Sequence, residues 1–379
     1  MTEGVDVDVE RFLLRIKQLG IETVVGVPDS TLKQFCAFVN QSSGYSHFVA
    51  PNEGAAVGIA AGVYLSTGKP TCVYMQNSGL GNTVNPVTSL AHREIYDIPM
   101  LFVIGWRGEP GSKDEPQHKF MGLITEEILE LSEIDHAIIS RETNESELNQ
   151  VFAKASSCLH ENRQFAIVVR RDTFAGAMNI NYSNDYTLVR ERVIAKILNH
   201  VSKEDIIIST TGKISREVYE RISPERRGQA FLTVGGMGHA SMIAFGIARN
   251  MEDRKVYCLD GDGAILMHMG SLAFLAKENP RNLVHICLNN DAHESVGGMP
   301  TGAVGVDYYR IAQACGYPHV FRVSTEEELN VVLTEVKGLN GLCFLEVLVA
   351  LSSRADLGRP KESAIENRIN FMKYHGVIK

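Results

Sequence analysis

The sequence predicts an α/β protein made of two doubly wound parallel-sheet domains, with no third, central domain between them. Three observations lead there. The 379 residues exceed one ordinary domain and suit two of roughly 150 to 190 residues each. Short apolar runs alternate with helical patterns through both halves, which is the rhythm of βαβ units around a parallel sheet. Runs such as Phe165-Ala166-Ile167-Val168-Val169 are continuously apolar, as expected of strands covered on both faces.

In the first half, strands are expected at 23–27, 46–49, 71–75, 100–104 and 165–170. Helices are expected to start at Thr31 and Gly54 and to cover 82–91. The second half repeats the pattern. Its strands are expected at 205–209, 230–233, 255–259, 283–288 and 342–349, with helices opening at Leu188, Ser215, His239 and Ala264. Residues 175–187 are small and polar without a helical period, which marks the connection between domains. The expected division is 1–176, a linker at 177–187, and 188–379.

Composition narrows the function. A net charge of −8 without a basic block argues against nucleic acid and anionic membrane as partners. An anionic ligand must therefore be held by a local cluster. No apolar stretch reaches the roughly 18 to 20 residues of a membrane span, and the start is acidic rather than a basic leader, so a cytoplasmic protein is expected. Seven cysteines without a C-x-x-C pair indicate neither a zinc site nor a disulfide framework. They read as small buried hydrophobes.

The most informative segment is Asp260-Gly261-Asp262-Gly263 at the end of an apolar run, followed after a helix and a second apolar run by Asn289-Asn290. Glycines permit a sharp turn and close approach of a ligand, and the helix opening at Ala264 points N–H groups at an anion. Neighbouring parallel strands would bring Asp262 and an asparagine amide oxygen into one crevice at their carboxyl ends. Both are hard oxygen donors suited to magnesium and a diphosphate. Either piece alone would more often be a turn or a strand-end cap; their spacing favours the metal reading. Upstream, Gly235-Gly236-Met237-Gly238 places a bulky side chain among glycines, either as a core plug or as a prop beneath a flat ligand. Thr211, in Thr210-Thr211-Gly212, either faces the same crevice or caps a helix.

In the first half, Glu53 opens a helix of alanines and glycines (Gly54-Ala55-Ala56-Val57-Gly58). In an arbitrary protein a first-turn carboxylate simply complements the helix dipole. Packed among such small apolar residues, however, it would lose water and be able to share a proton with a ring nitrogen.

Together these residues resemble the thiamine-diphosphate-dependent 2-oxo-acid decarboxylase family, over nearly the whole chain. Asn52-Glu53-Gly54-Ala55-Ala56 and Thr67-Gly68-Lys69-Pro70 look like its pyrimidine-binding domain, and residues 205–300 like its diphosphate-binding domain. The resemblance implies thiamine diphosphate and Mg2+ as cofactors. It implies Glu53 at the pyrimidine ring, the Gly235 carbonyl as acceptor of the 4′-amino group, and Met237 beneath the bent cofactor, beside Gly236. Thr211 and the turn Gly261, Gly263 and Ala264 would meet the diphosphate. Asp262, Asn290 and the Ala292 carbonyl would hold the metal. It also implies self-association, with active sites at subunit interfaces.

Segments 75–82 and 105–118 look most like members acting on phosphonopyruvate, then on sulfopyruvate. Decarboxylation of the former to phosphonoacetaldehyde and CO2 is the implied reaction, and a small anionic 2-oxo acid the implied substrate. The run Arg107, Lys113, His118 and Lys119 supplies candidate cations for its distal anion; a charge-balanced solvated loop is the alternative, since Glu109, Asp114 and Glu115 lie among them. Asp29 resembles an acid near the substrate in related decarboxylases and equally suits an N-cap. His118 and His293 are candidate proton donors. The acid that follows the metal asparagine by six residues in pyruvate decarboxylases is Val296 here, so the final protonation needs another group, for which His293 and Glu294 are nearest. A non-catalytic thiamine-diphosphate-binding module would not need Glu53. A nicotinamide dehydrogenase would need a G-x-G-x-x-G that follows the first strand of neither half.

Overall fold

The computed structural model describes residues 7–379 apart from Ala177, Asn179 and the side chain of Ser295. The chain divides into two compact units, Met1–Asn181 and Tyr182–Lys379. Ala177 and Asn179, both in the expected linker, lie outside the described residues. The start of the expected connection is structured, because Phe174–Ala175 pairs in parallel with Val7–Asp8.

Each unit is built on a six-stranded sheet. In the first, the spatial order is Ser46–Val49, Thr23–Gly26, Thr71–Gln76, Met100–Gly105, Phe165–Val169, Asp135–Ile139. In the second it is Ala230–Leu232, Ile206–Ser209, Val256–Gly261, Leu283–Asn289, Cys343–Leu348, His319–Val323. All pairings are parallel. Numbered along the chain within each unit, both sheets read 2-1-3-4-6-5. The order reverses between the first and third strands, which is where an open α/β sheet leaves a crevice at its carboxyl edge.

The continuous apolar runs are explained by two-sided burial. In the second unit, Tyr257, Leu259, Val284 and Ile286 enter one core cluster. Val256, Cys258, Leu283 and Cys287 enter the cluster on the opposite face. Six of the seven cysteines are buried and all are free, as their apolar setting suggests. Among the described residues no helix is long and apolar enough to cross a membrane.

The structure departs from sequence expectation at its edges and breaks. Neither Asp135–Ile139 nor His319–Val323 is apparent in the sequence, and each is an edge strand with polar or charged residues facing out. An edge exposes one side to water and so loses the apolar signature of a central strand. The helix expected at 82–91 is an α-helix over Leu80–Pro86 continued by a π turn over Val87–Ala91. Pro86 lacks the N–H that would continue regular bonding. The helix expected from Ala264 is two pieces, Asp262–Met267 and Gly270–Glu278, separated at His268, whose φ is −133° and ψ 47°.

The tightest backbone approach in the first sheet is at Gly26, where a Cβ would lie 2.0 Å from the Tyr74 carbonyl oxygen of the adjacent strand. Neither backbone can yield without parting the sheet. We expect Gly26→Ala to destabilise the first unit by about 1–3 kcal/mol or more, read as a lowered melting temperature; an unchanged melt would contradict this packing.

Candidate active site

Four carboxyl-edge turns of the second unit border its crevice. After the first strand come Thr210, Thr211 and Gly212, the last at φ 93° and serving as N-cap of Lys213–Arg221 without a side-chain cap. Thr211 is half-buried and is not that cap. After the second strand, Gly236 at φ 61° and Gly238 at φ 86° flank Met237. Left-handed backbone of this kind is cheap only for glycine. A Cβ on Gly238 would also meet His268 Cδ2 at 2.5 Å. Met237 is only half-buried, so it is presented by the turn and is no core plug.

The third and fourth strands carry Asp262 and Asn290, and their pairing in register, Gly261 opposite Leu288, puts the two side by side. Asp262 is buried and its carboxylate accepts from the Asn290 N–H and, at 3.0 Å, from the Thr301 hydroxyl. Desolvation, with the nearby Asp291 carboxylate adding repulsion, pushes its pKa up to about 7. The helix it opens has only six residues, too short to compensate much of that charge through its dipole.

Asn290 turns into Asp291, a non-glycine residue at φ 58°. A short hairpin then runs from Ala292–His293 through Gly297 and Gly298, at φ 82° and 81°, back to Met299–Pro300. It returns Thr301 to Asp262, while the Tyr308 hydroxyl donates to the Asp262 carbonyl at 2.7 Å. Ala292 lies opposite Pro300, which has no N–H to donate, so that partner does not claim its carbonyl.

The donor set fits a hard divalent cation. Asp262 and Asp291 are both buried, 3% and 6% exposed. The cations that reach the adjoining Glu294 are already matched: Arg190 bonds both oxygens of Glu217 at 2.8 Å and pairs with Glu294, and Lys213 reaches Glu294 at 3.3 Å. Uncompensated buried carboxylate beside an amide oxygen and an unclaimed carbonyl is what an oxygen-ligated cation requires. The cradle for a larger group is also present. A Cβ on Gly263 would sit 3.2 Å from both His293 and Thr301.

The neighbouring loop corrects one expectation. Glu294 is not a proton donor in waiting: Arg190 and Lys213 hold its carboxyl below the usual carboxylate range despite burial. Burial pushes the His293 imidazole down to about 4, which leaves it neutral near pH 7.

In the first unit the corresponding edge carries different chemistry. Glu53, 5% exposed, opens the helix Glu53–Thr67; its Oε2 accepts from the Asn82 amide at 2.7 Å. A Cβ on Gly79 would lie 2.5 Å from Glu53 Oε1, so the glycine exists to admit this carboxylate. Asp29, after the first strand, is 2% exposed. One oxygen accepts from the Thr31 and Leu32 N–H groups at 2.8 and 3.2 Å, and the other is buried without a partner. Desolvation raises its pKa to about 6. Asp29 thus closes the turn ahead of Lys33–Gln41, whose N-cap Leu32 has no side-chain cap, through one oxygen and is an unsatisfied buried acid through the other.

The expected anion-reading loop is redistributed. Arg107 makes a two-bond pair with Asp114, Nε to Oδ2 at 2.7 Å and Nη2 to Oδ1 at 2.5 Å, and its Nη1 reaches Ser30 at 3.1 Å. Asn77, fully buried, bonds both the N–H and the carbonyl of Arg107. His118 is pushed down to about 4 by burial and by Arg107. With Asp29 and Asp114 facing one guanidinium, this corner holds no spare positive charge at neutral pH. Of the four expected cations, Lys113 and Lys119 remain exposed.

Comparison with known proteins places this geometry. Residues 9–151 match the thiamine pyrophosphate enzyme N-terminal TPP binding domain, and residues 210–347 the corresponding C-terminal TPP binding domain. A phosphonopyruvate decarboxylase of Streptomyces viridochromogenes is 34% identical over 92% of this chain and 90% of its own length. The chain belongs to the phosphonopyruvate decarboxylase family of thiamine pyrophosphate enzymes. A phosphonopyruvate decarboxylase of Streptomyces hygroscopicus is 32% identical over 94% of this chain and 91% of its own. A sulfopyruvate decarboxylase of Methanosarcina acetivorans is 26% identical over 90% of each. Membership makes the chain a thiamine-diphosphate-dependent decarboxylase whose two units are the two cofactor-binding domains of the family.

Several residues that shape these sites are silent in the sequence. Asn82, Asp114, Thr301 and Tyr308 act across loops whose closure depends on the fold. Only Gly297-Gly298 carries a local signal, a turn dipeptide that marks the hairpin returning Thr301.

Asp29 yields a pH prediction for the cofactor-free protein. Its folded pKa, about 6, lies above its ordinary value, so folding favours the protonated form. The stability this confers is fully present below pH 4 and lost as pH rises through about 6. A displacement of that size corresponds to about 3 kcal/mol. Asp29→Asn, which keeps an acceptor for Thr31, should therefore melt higher than the unaltered protein at pH 7.5 and equally at pH 4. A melting difference independent of pH would contradict the buried, unsatisfied carboxylate.

Proposed function

We propose that this chain decarboxylates 3-phosphonopyruvate to phosphonoacetaldehyde and CO2 in the cytoplasm, a step of phosphonate biosynthesis, using thiamine diphosphate and Mg2+. The observation that carries the reading is end-to-end identity with phosphonopyruvate decarboxylases, 34% and 32% over about nine-tenths of both partners. The sulfopyruvate relative, at 26%, supplies the competing substrate.

Bound thiamine diphosphate supplies the carbon nucleophile and the electron sink that decarboxylation of a 2-oxo acid requires. Asp262, Asn290 and the Ala292 carbonyl would hold the cation that bridges to its diphosphate. Thr211 and the turn Gly261, Gly263 and Ala264 would accept the diphosphate itself, and Met237, flanked by Gly235, Gly236 and Gly238, would support its ring. Glu53, 5% exposed and fixed by Asn82, would bond the pyrimidine nitrogen. Asp29, with one free oxygen and a pKa near 6, is suited to pass a proton at neutral pH. Neutral His293, beside Gly263, orients and donates a hydrogen bond. It is not the acid.

The distal phosphonate is met by Lys113 and Lys119, the cations that remain uncompensated, while Arg107 shapes the loop. A decarboxylation assay comparing phosphonopyruvate, sulfopyruvate and pyruvate, with Mg2+ and thiamine diphosphate added back to chelator-stripped protein, tests the reading. Phosphonopyruvate should be preferred, and activity should vanish without the cation. Glu53→Gln should lower turnover by about 10²–10⁴-fold. Lys113→Ala and Lys119→Ala should raise KM for phosphonopyruvate by about tenfold or more, leaving pyruvate unaffected. Preference for sulfopyruvate would reassign the substrate, and full turnover by Glu53→Gln would refute the mechanism.

We further propose that the chain works as a homo-oligomer with active sites at subunit interfaces. Along the Glu53–Thr67 helix, Gly58 and Gly62 are exposed with open space beside them and Leu65 is 72% exposed. Such an apolar face favours burial against a second chain. Sedimentation velocity should give a dimer or larger; a monomer at working concentration would contradict it.

A further inference from the structure

Beneath the Gly261-Asp262-Gly263 turn lies a polar cluster that the proposed reaction does not use. Cys258, Asp260 and His285 bring one ligand-type atom each within 4.8 Å of one another, and Asp260 and His285 are each 1% exposed. They sit on adjacent parallel strands, with Cys258 opposite His285 and Asp260 two residues farther toward the carboxyl edge. The surrounding face is apolar: the Phe344 ring meets His285 edge-on at 5.3 Å, and Cys258 and Phe344 belong to the same core cluster.

Each Asp260 oxygen is engaged. Oδ1 accepts from the Gly261 N–H at 3.0 Å, and Oδ2 faces His285 Nε2 at 3.3 Å. His285 Nδ1 is buried without a partner. A carboxylate oxygen can only accept, so Nε2 carries the proton in this contact. His285 then donates to Asp260, and Asp260 holds the first N–H of the turn. A buried carboxylate is costly unless bonded, so retaining one here needs a structural return.

We propose that Asp260 and His285 form a strand-to-strand latch that positions Asp262, making both of them positioning residues for the cation. The latch ties the end of the third strand to the fourth, whose own end bears Asn290, so the two proposed metal ligands are held at a set separation. It differs from a cation site of its own. Its three ligand-type atoms are buried, and Asp260 Oδ1 is already committed to the backbone.

The inference rests on the reading of Asp262 as a cation ligand, and the test separates the two. Mn2+ binding to the thiamine-diphosphate-loaded protein is followed by electron paramagnetic resonance, alongside thermal melting of each variant. Asp260→Ala and His285→Phe should weaken Mn2+ binding by about 10–100-fold, as loss of an outer-shell partner does, in protein that still melts cooperatively. Asp260→Asn, which keeps an acceptor for the Gly261 N–H, should recover part of that affinity. If Asp260→Ala fails to fold, His285→Phe and Asp260→Asn carry the test. Folded variants that bind Mn2+ as the unaltered protein does, while Asp262→Ala does not, would overturn the latch. A second equivalent of metal per chain, lost in Cys258→Ser, would overturn it too, by making the cluster a ligand set. Unaltered Mn2+ binding by Asp262→Ala would instead sink the cation reading itself.

Discussion

Asp262 is an acid almost wholly withdrawn from water, and the architecture around it in the second unit follows from holding it there. An ionised carboxylate in such a setting is expensive unless charge or hydrogen bonds replace its hydration. A hydroxyl from Thr301 and the Asn290 N–H replace part of it, and Asp291 makes the remainder harder to satisfy. The nearby basic groups, Arg190 and Lys213, are committed to Glu217 and Glu294. What remains is a deficit of positive charge in a crevice of oxygen donors. The left-handed Asp291 and the glycine hairpin beyond it are the backbone's share of keeping that deficit in place.

The same sheet order serves two kinds of chemistry. Both units follow 2-1-3-4-6-5, so corresponding loops can be set against each other. After the first strand stands Asp29 in one unit and Thr211 in the other. After the third come Asn77 and Asp262, and after the fourth Arg107 and Asn290. In the second unit the third and fourth positions are oxygen donors without a matching cation. In the first, Asn77 spends its amide on the Arg107 backbone, and Asp114 neutralises the Arg107 side chain. One unit therefore gathers oxygen donors at these positions and the other holds acids, Glu53 and Asp29, out of water. The fold supplies the crevice; the residues at the strand ends decide its use.

Much of this was legible in the chain itself. Central strands such as Val256–Gly261 and Leu283–Asn289 stand out because both faces are buried and nearly every residue is apolar. The pairing of an acid between glycines with a distant asparagine survives as a sequence signal because both sit at strand ends, where position along the chain translates directly into position in space. Edge strands were missed, since water on one side removes their apolar signature. For Arg107 the sequence left two readings open, an anion-binding cation or a member of a charge-balanced loop, and closure of the loop brings it to Asp114, seven residues on.

By itself the sequence determined the α/β class, the two-domain organisation, and the acid, asparagine and glycine residues that stand at the strand ends. These depend on local period and on spacing along single strands. Tertiary structure alone decided which charges are already matched, which carboxylates lack water, and which loops return to touch them. Asp29 shows the difference. From sequence it is a cap or an acid with equal warrant, and only burial shows that one oxygen closes a turn while the other is left unsatisfied. Charge compensation is a property of neighbours in space, and the chain order does not record them.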